Sequence, residues 1–257
     1  SMYSNVKICV RTNGSYSDFF ESCSGVKQGE TLSPLLFLLF INDMYEYINS
    51  YNDDNTLAVV TLDELNFFML LFADDTVLFS RTANGLQNQV TKLQSYCSLW
   101  GIEVNTSKSV VMVFKKGRNH ANNYDLNITY DNIPFKTVDE FTYLGITLKS
   151  NCCFYKSQKY LSDRALKTVS SLNSLFDTLS FNVEDQLKLF DSMSVPILSY
   201  GCEIWGFHKA PDIERVHIRF LKQVLSVKNK TCNASVYGEL GRFPLLFLRK
   251  IRIVKYW

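Results

Sequence analysis

The spacing of apolar residues changes near residue 150, and this change constrains the fold more than any other feature of the sequence. Before it, short apolar runs separated by turn residues predict strands around a few helices. After it, apolar residues recur at helical spacing in three stretches: Leu161, Ala165, Val169 and Leu172; Val183, Leu187 and Phe190; and Ile213, Val216, Phe220 and Val224. The sequence therefore predicts an α+β part over residues 1–150 and an all-helical part over residues 151–257.

The balance of charge changes at the same place. Residues 1–150 carry 11 Lys/Arg and 16 Asp/Glu, whereas residues 151–257 carry 16 and 9. Such an asymmetry suggests that one part meets a polyanion while the other concentrates carboxylates, although uneven solvated surface charge would look the same. No stretch reaches the ~18 apolar residues of a membrane helix. With seven scattered cysteines and no leader, we expect an intracellular protein without a membrane segment.

Local signals predict a hairpin and a helix near the start of the chain. Asn13-Gly14 is a strong hairpin-turn signal. Ser33 followed by proline predicts a helix start, with Ser33 as the N-cap. The helix from Leu35 to about Ile48 is apolar on every side for two turns, so we expect Leu35–Ile41 to lie in the core under a sheet.

Further elements follow the apolar run that begins at Phe67. Two strands are predicted on either side of Asp74-Asp75, with the turn at the aspartates. A helix is predicted from Gly85 to Trp100, ended by a left-handed glycine at Gly101. Strands are then expected at Ile102–Val104 and Val110–Phe114, and again within residues 126–148.

Asp74 and Asp75 are the residues that most directly indicate chemistry. Two carboxylates about 4 Å apart repel by roughly 4 kcal/mol at an effective dielectric near 20, and a divalent cation would offset this repulsion. Magnesium binds carboxylate oxygens and completes its shell with water and substrate phosphates. The alternative is that the pair forms only the polar tip of an exposed hairpin, where aspartate is favoured.

Four segments in order resemble the motifs of reverse transcriptases. Phe72-Ala-Asp-Asp75 between two apolar strands resembles motif C, and Gly25-Val-Lys-Gln-Gly-Glu-Thr-Leu-Ser-Pro34 resembles motif B. Trp100-Gly-Ile-Glu-Val-Asn-Thr-Ser-Lys108 is similar to motif D, and Phe141-Thr-Tyr-Leu-Gly145 is similar to motif E, the primer grip. The resemblance implies a right-hand polymerase palm, an antiparallel sheet with packed helices, followed by a helical thumb.

Two later segments favour the non-LTR, LINE-type branch of this family. Tyr200-Gly-Cys-Glu-Ile-Trp205 and the stretch from Thr231 to Pro244 are similar to the region after the palm in those elements. The resemblance implies an RNA-directed DNA polymerase that uses two Mg²⁺ ions for nucleotidyl transfer. It also implies an RNA template, a DNA primer and deoxynucleoside triphosphates as partners, and a nuclear location, while the oligomeric state stays open.

Carried over position by position, the resemblance assigns roles to individual residues. Asp74 and Asp75 become metal ligands, and Lys108 becomes a charge stabiliser or proton donor near the departing pyrophosphate, with an exposed turn lysine as the alternative. The template base and nucleotide are assigned to Gln28, Gly29, Phe72 and Ala73. The primer end is assigned to Tyr143, Leu144 and Gly145.

The helical part carries basic residues suited to phosphates. Arg215, Arg219 and Lys222 have the spacing of one helical face, and Lys228 and Lys230 follow. Such a row can neutralise a nucleic-acid backbone without reading bases. An ordinary solvated helix face is the alternative.

One carboxylate of the family pattern is missing from this sequence. Reverse transcriptases carry a further aspartate in motif A, upstream of motif B, and neither Asp18 nor Glu21 has the matching context. The isolated chain is therefore expected not to polymerise, since misplacing a group by about 1 Å can already cost ~10²-fold in rate. The leading hypothesis is a reverse transcriptase fragment containing motifs B to E of the palm, without motif A or fingers, and the thumb. A catalytically inactive nucleic-acid-binding remnant is the alternative.

Overall fold

The computed structural model describes residues 6–22, 25–27, 29–49, 57–62, 65–114 and 126–257. The chain divides into two compact units, Ser1–Val111 with Tyr124–Thr137, and Met112–Asn123 with Val138–Trp257. The helical unit therefore begins before the boundary predicted at residue 150. The reason is that the last hairpin before that boundary packs on the helix that follows it.

In the residues that the structure describes, the first unit contains short strands and three helices. In chain order these are β1 Val6–Ile8, β2 Arg11–Thr12, β3 Ser15–Tyr16, β4 Phe20–Ser22, α1 Ser33–Phe40, α2 Met44–Asn49, β5 Val60–Leu62, β6 Leu65–Phe67, β7 Met69–Phe72, β8 Asp75–Leu78, α3 Ala83–Trp100, β9 Val110–Val111, β10 Thr129–Tyr130, β11 Ile133–Pro134 and β12 Lys136–Thr137. The mixture of helix and strand agrees with the predicted α+β class.

The strands of the described residues pair only in twos. The pairs β1–β4, β2–β3, β5–β6, β7–β8 and β10–β11 are antiparallel, whereas β9 and β12 pair in parallel. The single antiparallel palm sheet expected from the family resemblance is not confirmed. Ile102–Val104, predicted as a strand, forms no ladder, although Ile102 and Val104 pack in part against the core of the first unit.

The predicted long helix after Ser33 is divided and largely exposed. A turn at Ile41–Asp43 separates α1 from α2, and Leu35 and Leu39 are 53% and 65% exposed. The prediction that Leu35–Ile41 lies in the core is therefore wrong apart from Ile41, which is buried, and Phe37, which packs against the core in part. The other side chains of α1 remain largely in solvent because no broad sheet covers this helix within the described residues.

Helix α3 forms as predicted and organises the core of the first unit. The side chain of Thr82 accepts a hydrogen bond from the backbone N–H of Gly85 at its start, and Gly101 ends it with φ +65°. Its buried face, including Leu93 and Tyr96, packs against α2 and the β7–β8 hairpin. The Tyr96 hydroxyl donates to Asp43 Oδ1 at 2.6 Å, and burial followed by this hydrogen bond raises the pKa of Tyr96 above its usual range.

Within residues 138–257, which are all described, the second unit contains one hairpin and seven helices. These are β13 Glu140–Tyr143, β14 Ile146–Lys149, α4 Tyr155–Thr178, α5 Val183–Met193, α6 Val195–Leu198, α7 Cys202–Trp205, α8 Pro211–Val224, α9 Asn233–Glu239 and α10 Leu245–Tyr256. The stripes predicted on α4 and α8 are buried apart from half-buried Val224, and Asn182 caps α5 as predicted; of the α5 stripe, Val183 is exposed. Most of these stripe residues belong to the same core cluster as Trp205, which is fully buried.

None of the helices in the described ranges combines the length and the apolar character needed to cross a lipid bilayer.

Candidate functional site

The aspartate pair lies at the tip of the β7–β8 hairpin. Phe72 pairs with Asp75 at the end of the ladder, so Ala73 and Asp74 form the connecting turn. The predicted turn is confirmed, although Asp75 already begins the second strand. Ala73 has φ +50°, a left-handed conformation that alanine adopts at some cost in free energy.

The base of this hairpin is anchored in the core. Phe68 and Met69 are buried, and the ladder continues through a hydrogen bond from the Phe79 N–H to the Phe68 carbonyl. Gln89 of α3 is fully buried, and its amide donates to the carbonyls of Phe79 and Leu57 at 2.8 and 2.9 Å. The end of β8 is therefore tied to α3 by buried hydrogen bonds, which are costly to break.

A glycine allows α3 to approach this base closely. A Cβ added at Gly85 would stand 2.5 Å from Ser80 Oγ and 2.7 Å from the Leu57 carbonyl oxygen. The Ser80 hydroxyl hydrogen-bonds to that same carbonyl at 3.0 Å. A larger residue at position 85 would separate the helix from the hairpin that it supports.

Both aspartates at the tip are exposed, as are Phe72 and Ala73. Because water screens exposed charges, the repulsion between the two carboxylates is smaller than in an apolar site, and it does not by itself require a cation. The donor set nevertheless fits Mg²⁺, which is commonly held by one or two carboxylates plus substrate phosphates. Within the described residues no group of three His, Cys, Asp or Glu side chains forms a metal site.

The glycine-rich turn before α1 is described in part. Gly25 and Gly29 both have positive φ, at +81° and +83°, and Gly29 is exposed, whereas Gln28 lies outside the described residues. Ser33 is not the N-cap that the sequence predicts, because it is the first residue of α1 and is buried. Its hydroxyl donates to the Lys27 carbonyl and closes the turn.

Lys108 lies in the exposed turn Asn105–Lys108. The backbone N–H of Lys108 donates to the side-chain and backbone oxygens of Asn105, both at 3.2 Å. This local turn leaves the Lys108 side chain exposed to solvent. The assignment of Lys108 to pyrophosphate stays a prediction.

The predicted primer-binding residues form the tip of the β13–β14 hairpin in the second unit. Tyr143 pairs with Ile146, and Leu144 and Gly145 form the turn with φ +45° and +77°. Positive φ at both turn positions is typical of type I′ hairpins. Leu144 and Gly145 are exposed and Tyr143 is half-buried, so the tip is available to a ligand.

The predicted basic row on α8 is only partly present. Arg219 is exposed, and exposed Arg215 pairs with Asp212 at 2.6 Å. Lys222 departs from the prediction, because it is buried and its ammonium group donates to the Asn229 carbonyl at 2.7 Å. The chain after α8 folds back over this end of the helix, where the Val227 N–H donates to the Lys222 carbonyl.

Lys228 and Lys230, just beyond α8, are both exposed. The structure therefore places the β7–β8 hairpin with its two aspartates, Gly29 and Lys108 in the first unit. The predicted primer-binding residues and the predicted basic residues lie in the second.

The sequence before residue 149, which includes parts of both units, matches a known family. The family profile described as "Reverse transcriptase (RNA-dependent DNA polymerase)" matches residues 1–148, more than half of the chain. The chain belongs to the reverse transcriptase family. The match includes the carboxylate hairpin of β7–β8 and most of the β13–β14 hairpin.

Relatives of this reverse transcriptase chain include RNA-directed DNA polymerases of non-LTR retrotransposons and a transposon-derived protein. A Drosophila melanogaster protein named for RNA-directed DNA polymerase from transposon X-element is 25% identical over 82% of the chain and 22% of its own length. The RNA-directed DNA polymerase from mobile element jockey, from the same organism, is 21% identical over 81% of the chain and 22% of its own length. A transposon-derived protein of Caenorhabditis elegans is 31% identical over 60% of the chain and 53% of its length.

The chain thus spans about a fifth of the length of the two Drosophila relatives. The activities of those whole proteins come to this reverse transcriptase chain only as proposals.

The sequence patterns do not indicate the side chains that support the β13–β14 hairpin. Glu140 of β13 bonds to Lys156 of α4 at 2.6 Å, with Lys149 at 3.8 Å. The hydroxyl of Tyr200 donates to the carbonyl of Leu144 at 2.8 Å. The only sequence signal for Tyr200 is its place in the Tyr200–Trp205 segment, which indicated a branch of the family but no role.

Proposed function

We propose that this chain supplies the metal-binding hairpin and the primer-binding surface of an RNA-directed DNA polymerase of a non-LTR retrotransposon. One observation carries the proposal: an exposed carboxylate pair stands at the tip of a hairpin whose base is anchored, inside the region that matches the family. A hairpin without an anchored base would hold such a pair in no fixed position, and catalytic groups act best when they are held on rigid elements.

Asp74 and Asp75 are the residues that would hold Mg²⁺ in this proposal. When bound, two such ions stabilise the attacking and leaving oxygens of a phosphoryl transfer. The chain's own contribution is to fix the carboxylates. The strands that carry the two aspartates are anchored by buried Phe68 and Met69 and by the hydrogen bonds of Gln89.

Further residues would bind substrate around this centre. The positive φ of Gly29 and the absence of a side chain there suit a close approach of nucleotide to backbone. Gln28, Phe72 and Ala73 would also contact the template base or the nucleotide in this proposal. Lys108 would stabilise negative charge that develops on the departing pyrophosphate.

The second unit would bind the nucleic acid. The tip formed by Tyr143, Leu144 and Gly145 would hold the primer end. Exposed basic residues outside the tip would contact phosphates, and these are Arg215, Arg219, Lys228 and Lys230. Lys222 is left out of this surface because its ammonium group is buried on the Asn229 carbonyl.

The metal site can be tested by iron-directed cleavage of the full chain bound to an RNA template, a DNA primer and a deoxynucleotide. Fe²⁺ that replaces Mg²⁺ reduces added hydrogen peroxide to hydroxide and a hydroxyl radical, and this radical cuts the nearby backbone. We expect cuts within residues 69–78 that excess Mg²⁺ suppresses and that Asp74→Asn or Asp75→Asn abolishes.

Asp131 provides a matched control, because it is an exposed aspartate in the turn of another hairpin of the same unit. Asp131→Asn is expected to leave the cuts unchanged. Cuts at the Asp131 turn of similar strength, or cuts that survive Asp74→Asn, would show that any exposed hairpin aspartate attracts the ion. Binding of primer and template without site-directed cleavage would favour the inactive nucleic-acid-binding remnant.

A further inference from the structure

We propose that Tyr200 is a positioning residue that fixes the tip of the β13–β14 hairpin for the primer end. This inference rests on the proposed primer-binding role of that hairpin and names a residue outside the hairpin that this role requires. All of the contacts that carry it lie within the second unit.

The hydroxyl of Tyr200 holds the turn directly. It donates to the Leu144 carbonyl oxygen at 2.8 Å, although the two residues are 56 positions apart in the sequence. Leu144 has φ +45°, which is uncommon for a bulky residue, so its peptide needs external support to keep one orientation. The carbonyl that receives the support lies inside the turn itself.

The ring of Tyr200 lies against the second turn residue. A Cβ added at Gly145 would stand 3.3 Å from the ring atom Cε1, so the ring occupies the space beside this glycine. Gly145 therefore serves two purposes, since it permits φ +77° and admits the ring. The same tyrosine thus contacts both residues of the turn.

The segment that carries Tyr200 is itself fixed by the core. The indole N–H of Trp205, which is fully buried, donates to the Tyr200 carbonyl at 2.8 Å. A Cβ added at Gly201 would come within 2.3 Å of the Ile146 side chain, so this segment packs directly on β14. The buried core therefore fixes the backbone of Tyr200, and the side chain of Tyr200 in turn contacts the exposed tip of the hairpin.

Tyr200 remains 48% exposed, which leaves its support of the tip compatible with a bound ligand. Removing its hydroxyl should loosen the tip without emptying the core. The variant Tyr200→Phe tests this with the full chain, and Tyr160→Phe, at an exposed tyrosine of α4, is the matched control.

Two measurements separate a positioning role from a structural one. Amide hydrogen exchange reports the hairpin, and we expect residues 141–147 to exchange about 5-fold faster in Tyr200→Phe, as loss of a hydrogen bond worth ~1 kcal/mol implies. The fluorescence of 2-aminopurine at the primer 3′ end reports the terminal base. In Tyr200→Phe, we expect the fluorescence change on binding to be about 5-fold smaller than in the wild type. The ratio of the affinities for a recessed and a blunt primer end should also fall about 5-fold, while the affinity for single-stranded RNA stays unchanged.

The outcomes are distinguishable. If the wild-type chain responds and Tyr200→Phe responds equally, the inference is wrong while the primer-binding role stands. If exchange accelerates but the primer-end signal is unchanged, Tyr200 has only a structural role and the inference is again wrong. If the wild-type chain gives no primer-end signal at all, the proposed role of the hairpin fails first and the inference fails with it.

Discussion

At the scale of single residues, the structure shows which polar groups stay in solvent and which are taken into the core. Asp74 and Asp75 are exposed at a turn, whereas Lys222 and Arg249 are buried and hydrogen-bonded. His217 is also buried, and its ring centroid lies 5.7 Å from the ring centroids of both Phe190 and Tyr237.

The burial of His217 predicts a dependence of stability on pH. Burial, followed by the charge of Arg242, lowers the pKa of His217 to about 4. The unfolded chain regains an ordinary pKa near ~6.5 and takes up a proton first, so the free energy of unfolding falls as pH drops from ~6.5 to ~4, by roughly 3 kcal/mol from this residue.

Urea denaturation at several pH values checks this prediction. His217→Phe keeps a ring in place but cannot titrate, so its curve should be flatter over the same pH window. His208→Phe, at an exposed histidine, should follow the wild type. An unchanged slope in His217→Phe would mean that carboxylates, not this histidine, cause the acid destabilisation.

At the scale of elements, local signals predict helices well and burial poorly. The apolar spacing of α3 and the glycine at its end suffice to place it, because both act within a few residues. The exposure of α1 and the burial of Lys222 depend on segments elsewhere in the chain, which no local pattern contains. Local patterns also do not indicate which strands pair, and the parallel pairing of β9 with β12 is an example.

One contact between elements is expected to contribute strongly to stability. Glu214 of α8 accepts from Arg249 of α10 at 2.9 Å and from the Leu245 N–H at the start of α10 at 3.0 Å. Arg249 is 1% exposed and its guanidinium lies over the Trp205 ring at 5.8 Å. Glu214→Ala would leave a buried cation without its partner.

We therefore expect Glu214→Ala to lower the free energy of unfolding by about 3 kcal/mol, measured by urea denaturation. Arg215→Ala serves as the comparison, since it removes an exposed ion pair on the same helix and should cost no more than ~1 kcal/mol. Equal effects of the two variants would contradict a dominant role for the buried pair.

At the scale of the whole molecule, the turn that carries the candidate metal ligands could be predicted from the sequence, whereas the side chains that support the two hairpins of the proposed site could not. The order of the motif-like segments predicted Asp74 and Asp75, and the turn between apolar strands placed them correctly. Gln89 and Tyr200 could not be found this way, because each acts through a carbonyl oxygen far along the chain. A sequence displays the groups that meet a ligand more readily than the groups that hold them.

The division of charge along the whole chain predicts how nucleic-acid binding responds to salt. Each phosphate contact that releases a counterion adds about 0.9 to the steepness with which log K falls against log salt on duplex DNA. Replacing exposed Arg219, Lys228 and Lys230 together by Gln should therefore reduce that slope by about 2 to 3 for a primer–template duplex.

Lys7, Arg81 and Lys136 are exposed in the first unit, and their joint replacement removes the same charge as a matched control. Fluorescence anisotropy between 50 and 200 mM salt, about the range over which such contacts matter, measures both slopes. If the two triple variants lose the same slope, binding follows net charge alone, and the basic residues beyond residue 150 form no nucleic-acid surface of their own.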